Sequence, residues 1–190
     1  MTSILSPRLT HRLVTQRLTL EPVSVDFAYQ LLDFQLDNRT HLRPWEPLRR
    51  TDFFTLDAMT ARTRTMADSI AAGSALHWLM FERGRDAVIG ECNFTSIVRG
   101  PFLACHLGYA IDHRREGQGL MREALTASIE YVFERIGLHR IMASYRPENL
   151  RSERLLNVLG FEREGFARAY LKINGVWADH VLTALINPAV

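Results

Sequence analysis

The chain has 190 residues, of which 47% are hydrophobic and 23% are charged, and its net charge is +2. This composition is typical of a globular protein and excludes a disordered or fibrous chain, and the length fits one domain over residues 1–190. A charge so close to zero also argues against the concentrated basic face of a dedicated nucleic-acid-binding protein.

The chain carries no evident targeting or metal-binding signal. Its first residues lack a basic segment followed by an apolar stretch, and no run approaches the roughly 20 apolar residues of a membrane span. We therefore expect a soluble, cytoplasmic protein. Cys92 and Cys105 lie in strand-like segments without the spacing of a metal site, which predicts buried, reduced thiols and no metal.

The chain begins with a strand followed by a helix. Residues 17–21 alternate polar and apolar side chains up to Pro22, a pattern that predicts a strand. Ser24 is a suitable N-cap for a helix whose apolar residues recur at helical spacing until Asn38.

A proline-bounded loop and a second helix come next. Pro44 and Pro47 forbid a continuing helix and predict a rigid loop over residues 42–47. Asp52 can cap a helix that runs to about Ala72, where Gly73 stands just past the end.

The middle of the chain predicts an antiparallel meander and a long helix. Three strand-like runs, 76–82, 88–98 and 104–111, are separated by short turns, and Gly108 in the third is a possible bulge. Residues 120–136 have apolar side chains at helical spacing and end at Gly137.

The last third predicts a parallel strand, a short helix and a hairpin. Residues 140–145 form a strand reached through a helix, so this strand is expected to run parallel to the preceding one. A short helix then ends at Gly160, and the turn at 174–175 joins two alternating strands. The order predicts a mixed α/β (α+β) fold, with a mostly antiparallel seven-stranded sheet that has one central parallel pair and is flanked by helices.

Residues 112–120, between a predicted strand and a predicted helix, are a candidate anion-binding loop. A helix N-terminus offers unpaired N–H groups, and Gly117 and Gly119 let the backbone approach an anion. Arg114 and Arg115 add positive charge. The spacing fits neither a Walker loop nor a dinucleotide fingerprint, so the loop taken alone could equally be an ordinary turn.

Two motifs resemble those of the GCN5-related N-acetyltransferases. The segment Arg114-Arg115-Glu116-Gly117-Gln118-Gly119 resembles the family's acetyl-CoA signature, Arg/Gln-x-x-Gly-x-Gly/Ala. Downstream, Asn149 to Ser152 followed by Gly160-Phe161 resembles its second motif. The predicted element order matches that fold over essentially the whole chain, and the resemblance implies that the central parallel pair is splayed.

Further segments resemble the RimJ-type ribosomal-protein alanine N-acetyltransferases within that family. They are residues 43–47, 89–90, 93–94, 98–100, 107–109, 139–143 and 179–184. The resemblance implies that the protein transfers the acetyl group of acetyl-CoA to the N-terminal alanine of a small-subunit ribosomal protein by direct attack on the thioester. Acetyl-CoA is then the co-substrate, and neither a metal, a membrane nor direct nucleic-acid binding is required.

The resemblance also implies which residues bind acetyl-CoA. The backbone of the fourth strand is expected to pair with the pantetheine arm, the loop to hold the pyrophosphate, and the second motif to hold a pantetheine amide. The predicted residues are Tyr109, Ala110, Ile111, Arg114, Arg115, Glu116, Gly117, Gln118, Gly119, Leu120, Met121, Asn149, Arg151 and Ser152.

Four residues are candidates for acid–base chemistry. His106 is the first candidate base, since an unperturbed imidazole titrates near ~6.5, and Glu91 is the alternative; either could instead be structural or solvated. Many relatives carry a tyrosine acid where Leu156 stands here, and leucine cannot donate a proton. Ser152 and Tyr145 are therefore the candidate acids, with helix capping or packing as their alternative roles.

Trp45, Asn93 and Phe94 are the predicted substrate-binding residues, although Trp45 could instead be a core aromatic. Two other functions stay open. One is an acetyltransferase acting on a small-molecule amine, which the arginine-rich composition disfavours. The other is a CoA-binding ribosome-assembly factor with vestigial activity, which the missing tyrosine keeps in consideration.

Overall fold

The computed structural model describes residues 11–189. The first ten residues, on which the expectation of a missing leader segment rests, lie outside this range, as does residue 190. Within the described range, no helix combines the length and the apolar character needed to cross a membrane.

A single eight-stranded sheet with the order β1-β2-β3-β4-β5-β6-β8-β7 supports the site. Its strands are β1 (Leu13–Val14), β2 (Leu18–Pro22), β3 (Leu76–Glu82), β4 (Val88–Val98), β5 (Ala104–Ile111), β6 (Arg140–Tyr145), β7 (Glu162–Ile173) and β8 (Val176–Ile186). Only β5 and β6 pair in parallel among these strands, as predicted from the helical crossover between them. All seven predicted strands are present, and the additional β1 has two residues, too few to show an alternating pattern.

Helices cover both faces of the sheet. They are α1 (Ala28–Asp37), α2 (Arg39–Leu42), α3 (Leu56–Ala71), α4 (Leu120–Tyr131) and α5 (Leu150–Val158). The last turn of the predicted long helix is a π-helical segment, Val132–Ile136, and Gly137 ends it in the left-handed region as expected. We call the side packed by α1 and α3 the front face and the side packed by α4 and α5 the back face.

Two hydrophobic cores fix these faces. On the front, Leu31 and Met59 pack with Leu79 of β3, whereas the neighbouring Trp78 packs on the back with Leu125 and the other buried side chains of that core. This division follows from the strand geometry, because successive side chains point to opposite faces. Each large apolar side chain buried in this way contributes roughly 1.5–3 kcal/mol.

The predicted cap of the second helix is wrong. Thr55 is the N-cap of α3, and its Oγ1 accepts a hydrogen bond from the Ala58 N–H at 3.3 Å. Asp52 lies in a preceding 3-10 turn instead, and its backbone carbonyl accepts a hydrogen bond from Thr55 Oγ1. Both residue types cap well, so local sequence did not discriminate between them.

The bulge predicted at Gly108 is also wrong. Gly108 pairs regularly with Asn93, and the register between β4 and β5 shifts between Thr95 and Val98 instead. Ser96, inside the shifted segment, has a φ of 52°. The irregular backbone here does not require glycine, so the position of a glycine in β5 did not predict the position of the bulge.

Candidate active site

The strands β5 and β6 diverge halfway along their length. Their pairing begins at Ala104 and Arg140 and ends at Leu107 and Ala143. Beyond that point, residues 108–111 of β5 pair only with β4 within the described chain, which leaves the edge towards β6 open. We call this opening, between residues 108–111 and 144–145, the fork. Its open backbone edge can pair with an extended ligand that carries amide groups.

The loop between β5 and α4 presents a row of unpaired backbone donors. Gly117 and Gly119 have φ of 72° and 74°, values that other residues rarely adopt. Within residues 11–189, no acceptor receives a hydrogen bond from the backbone N–H groups of residues 116–121, which we call the cradle. The cradle lies at the positive end of the α4 dipole and fits a pyrophosphate group.

The two arginines of the loop are engaged by carboxylates. Arg114 binds both oxygens of Asp112 and also donates to Asp37 at 2.8 Å, while Arg115 donates to Glu82 at 2.8 Å. Burial alone would raise the pKa of Asp112, but the hydrogen bonds from Arg114 hold this pKa below its ordinary value. Both guanidinium groups are therefore engaged by carboxylates within the described chain, and their role as phosphate ligands stays a prediction.

Both arginines line a cleft of about 570 Å³ on the front side of the loop, between α1 and the β3–β4 turn. Its other charged side chains are mostly acidic and include Asp33 and Asp86. None of its lining residues belongs to the fork. The fork and the cradle, rather than this cleft, combine an open backbone edge with anion-binding groups.

Charged contacts from distant segments hold the cradle in place. Arg17 donates to the backbone oxygen of Gln118 at 3.0 Å and pairs with Glu123 of α4 at 2.6 Å. Glu116 and Arg151, both predicted to bind the cofactor, form an ion pair with each other. This pair ties the loop to α5. Sequence reasoning missed Arg17, because nothing local links it to a loop about a hundred residues away.

Two hydroxyl groups meet across the fork on the back face. The Tyr109 hydroxyl of β5 lies 2.7 Å from Ser152 Oγ of α5. Asn149 caps α5 by accepting a hydrogen bond from the Ser152 N–H at 3.1 Å, which orients the serine. Burial raises the pKa of Tyr109 to about 12, so its phenol is protonated at neutral pH. The sequence identified Tyr109 only as a backbone partner, and its side chain is an additional polar group of the site.

Other candidates for proton transfer have different surroundings. Tyr145 is 7% exposed and donates to Glu153 at 3.2 Å. Leu156 is buried in the back core, in agreement with its inability to act as an acid.

His106 is exposed on the front face, beside Met142, where β5 and β6 are still paired. Its role as a base stays a prediction.

Glu91 forms a buried ion pair on the front face. Its side chain is 2% exposed, and each carboxylate oxygen has a partner: Gln35 Nε2 at 2.9 Å and Arg62 Nη2 at 2.8 Å. A carboxylate with both oxygens engaged and little access to solvent is a poor proton acceptor. The geometry therefore favours a structural role for Glu91 over that of a base.

The loop that contains Trp45 lies against the end of β6 and the tip of the β7–β8 hairpin. Trp45 is half-buried, and the Arg146 guanidinium at the end of β6 lies 5.8 Å from its ring centroid. Arg146 also donates to the Pro44 carbonyl at 2.8 Å. From the other side, the Asn174 N–H at the tip of the β7–β8 hairpin donates to the Glu46 carbonyl at 2.8 Å. These contacts fix the loop beside the end of β6, and the substrate-binding role of Trp45 stays a prediction.

The two remaining predicted substrate residues differ in accessibility. Asn93 is partly exposed on the front face, with its Oδ1 2.7 Å from His77 Nδ1. Phe94 is fully buried and packs edge-on against Trp78. Its side chain cannot contact a substrate, because alternation along β4 turns it into the back core.

Both cysteines are free and buried, as predicted. Burial raises the pKa of the Cys92 and Cys105 thiols, which keeps them protonated. In the described part of the chain, no group of three or more His, Cys, Asp or Glu side chains is arranged to hold a metal ion.

The splayed parallel pair and the cradle define a class of acyltransferase, and comparison with known proteins identifies the family. Residues 17–162 match the family model of the acetyltransferase (GNAT) domain. The chain belongs to this family.

Among its relatives, the "[Ribosomal protein uS5]-alanine N-acetyltransferase" of Escherichia coli (strain K12) is 45% identical over 177 residues, which are 93% of this chain and 91% of the relative. The crystal structure of ribosomal-protein-S5-alanine acetyltransferase from Vibrio fischeri superposes with a TM-score of 0.89 at 35% identity, covering 94% of this chain and 97% of the other. Mycobacterium smegmatis RimJ, in complex with CoA-disulfide, superposes with a TM-score of 0.85 at 27% identity, covering 91% of this chain and 83% of the other. The present chain is an acetyl-CoA-dependent N-acetyltransferase.

Proposed function

We propose that the protein transfers the acetyl group of acetyl-CoA to the N-terminal α-amine, normally of alanine, of a small-subunit ribosomal protein. The observation that carries this proposal is the 45% identity to the Escherichia coli uS5-alanine N-acetyltransferase over 93% of the chain. The fork supports this proposal, because it is an opening in the sheet that joins the two faces. The cradle lies on the back side of this opening, and the Trp45 loop lies on the front side.

An α-amine suits this site chemically. Only a neutral amine attacks a thioester, and at pH 7.5 roughly a third of α-amines of pKa ~7.7–8.0 are neutral, against about 0.1% of lysine amines of pKa ~10.4. The site therefore needs only a modest base. An acid for the departing thiolate is the second requirement.

Acetyl-CoA supplies the acetyl group as a thioester, and we propose that the predicted cofactor residues hold it from the back face. Residues 109–111 offer their backbone to the pantetheine arm, and residues 116–121 offer their N–H groups to the pyrophosphate. Asn149 keeps an amide N–H₂ free after capping α5 through its oxygen. Arg114, Arg115 and Arg151 shape the loop through their ion pairs.

We further propose that residues 1–190 act as one acetyltransferase domain in the cytoplasm, where ribosomal proteins are made. The acceptor is a polypeptide end, so the transfer needs no contact with nucleic acid.

The acceptor is tested with peptides. A peptide with the N-terminal sequence of the small-subunit protein, beginning with alanine, should release CoA and gain one acetyl group by mass spectrometry, while the same peptide with a blocked N-terminus should do neither. Equal turnover of both peptides, or faster turnover of a polyamine or aminoglycoside, would point to a small-molecule acceptor. CoA binding without turnover of any amine would point to an assembly factor.

Ser152, supported by Tyr109, is the proposed acid for the departing thiolate. Ser152→Ala should lower kcat about 10- to 100-fold, at the low end of acid–base effects because a thiolate is a good leaving group. Tyr109→Phe should cost about tenfold, since the serine hydroxyl remains. Tyr109→Phe should bind CoA normally by calorimetry, because its backbone is unchanged. Ser152→Ala should bind CoA slightly more weakly, because Ser152 is also a predicted cofactor-binding residue.

Tyr29→Phe removes a hydroxyl from an exposed tyrosine and is the matched control, with kcat unchanged. A larger loss of kcat in Tyr145→Phe than in Ser152→Ala would assign the acid to Tyr145 instead.

A further inference from the structure

A second carboxylate stands on the front side of the fork. Glu46 lies in the loop held over the end of β6 by Arg146, and its own backbone carbonyl is bound by the hairpin tip. Its side chain is 22% exposed, in contrast to the inaccessible Glu91. Glu46 therefore combines partial burial with access from solvent, as a proton acceptor requires.

The partners of Glu46 leave its carboxylate available. The nearest cation is Arg49, whose Nε lies 3.5 Å from Glu46 Oε2, too far for a good hydrogen bond. Arg62 is committed to Glu91 through its Nη2. Three charged groups act on Glu46: Arg49 on its own loop, Arg62 on α3 and Glu91 on β4. A fourth, Arg146, packs against the ring of the neighbouring Trp45.

The surroundings of Glu46 also contain guanidinium donors without hydrogen-bond acceptors. Among the described residues, Arg62 Nη1 and Arg49 Nε are buried and make no hydrogen bond. Buried donors of this kind are costly unless a ligand supplies the acceptor. A polypeptide end would supply both kinds of partner, with carbonyl oxygens for the guanidinium groups and an α-ammonium for the carboxylate.

We propose that Glu46 is the general base that accepts the proton of the acceptor's α-ammonium, and that Arg49 and Arg62 hold the first carbonyl groups of the acceptor. This role rests on the proposed function and deepens it by naming the acceptor-binding residues. Burial, with the Glu91 charge adding to it, raises the pKa of Glu46, whereas Arg49 and Arg62 lower it in part. A carboxylate with a raised pKa is a stronger base.

The step balances with one carboxylate and one acid. The C–N bond forms as the thioester C–S bond breaks, and the nitrogen loses two protons in total. Glu46 takes one proton from the α-ammonium and passes it to solvent. The second proton leaves the nitrogen as the amide forms and replaces the proton that Ser152 gives to the CoA thiolate. No oxidant, metal or further co-reactant is needed.

Glu46 fits this role better than either base predicted from the sequence. Both Glu91 oxygens are engaged by Gln35 and Arg62. His106 lies below the fork, where β5 and β6 are still paired, and within residues 11–189 no hydrogen bond orients its ring. Glu46 is the accessible carboxylate on the loop beside the opening.

The test compares kcat of the wild type, Glu46→Gln and Glu46→Asp on the alanine peptide between pH 6 and pH 9. Glu46→Gln should lose about tenfold at pH 7, because only roughly a tenth of α-amines with pKa ~7.7–8.0 is neutral there. The loss should shrink to about twofold or less by pH 9, where most of the α-amine deprotonates unaided. Glu46→Asp should recover part of the rate, and CoA affinity should be unchanged in both variants. Glu130→Gln, at an exposed site on α4, is the control without effect.

The outcomes separate this role from the function itself. A pH-independent loss in Glu46→Gln, or wild-type activity, overturns the role of Glu46 while the function stands. If His106→Gln rather than Glu46→Gln shows a loss of kcat that shrinks at high pH, the base is His106, and the proposal is overturned. If the wild type acetylates no N-terminal peptide although it binds CoA, the proposed function fails and this role with it.

Discussion

Replacing Gly117 with valine should weaken the binding of acetyl-CoA about 10- to 100-fold. Gly117 has a φ of 72°, and an L-residue in the left-handed region costs about 1–2 kcal/mol, with more for a β-branched side chain. If the backbone relaxes to relieve this strain, the cradle loses a charge-assisted hydrogen bond worth about 1.5–3 kcal/mol. Binding acetyl-CoA therefore either restores this strain or proceeds without that hydrogen bond. At about 1.4 kcal/mol per tenfold change in Kd, either cost corresponds to roughly a 10- to 100-fold loss of affinity.

The chain offers a matched control for this variant. Gly84, in the β3–β4 turn, has a φ of 75°, and a Cβ added at either glycine would meet no atom within 4 Å. Gly84→Val should therefore carry a similar backbone strain, seen as a similar drop in thermal stability, but should leave CoA affinity by calorimetry within about twofold. Equal losses of CoA affinity in both variants would show that the effect is general destabilisation and not loss of the cradle.

Replacing Arg62 with methionine should lower the free energy of unfolding by about 3 kcal/mol. The substitution leaves the Glu91 carboxylate buried with Gln35 as its remaining partner, and removing one member of a buried ion pair typically costs about 3–5 kcal/mol. We expect the lower end, because the Arg62 side chain is itself 23% exposed. Urea denaturation at neutral pH measures the change.

The cause of this loss can be isolated with a double variant. Arg62→Met combined with Glu91→Gln removes the unpaired charge and should recover about half of the lost stability or more, giving a coupling energy of about 1.5–3 kcal/mol. Arg64→Met, at an exposed position two residues along α3, should change stability by less than about 0.5 kcal/mol. Strictly additive losses for Arg62 and Glu91 would contradict a buried ion pair.

Local sequence was sufficient for the seven longer strands, the four longer helices and the cradle. Apolar periodicity located the seven longer strands, and the Asn174-Gly175 turn has the positive φ values, 44° and 85°, that such a dipeptide predicts. Gly117 and Gly119 marked the cradle for the same reason. A backbone conformation with positive φ depends on the residue itself and its immediate neighbours, so it can be read from the chain.

The partners of the polar side chains were decided by the tertiary structure. In the sequence, Arg114 resembles a phosphate ligand. The fold brings Asp37 of α1 next to it, and the Arg114 guanidinium donates a hydrogen bond to the Asp37 carboxylate. Tyr109 and Ser152 are 43 residues apart and meet only because α5 returns beneath β5. Glu46 shows no local signal of chemistry in the sequence.

The glycine loop and the family were therefore determined by the sequence, since they depend on glycine positions, hydrophobic periodicity and short motifs. The pairing of Tyr109 with Ser152 and the surroundings of Glu46 were decided only by the fold. Their chemistry depends on burial and on partners brought together by the closure of long stretches of chain, which no local pattern records.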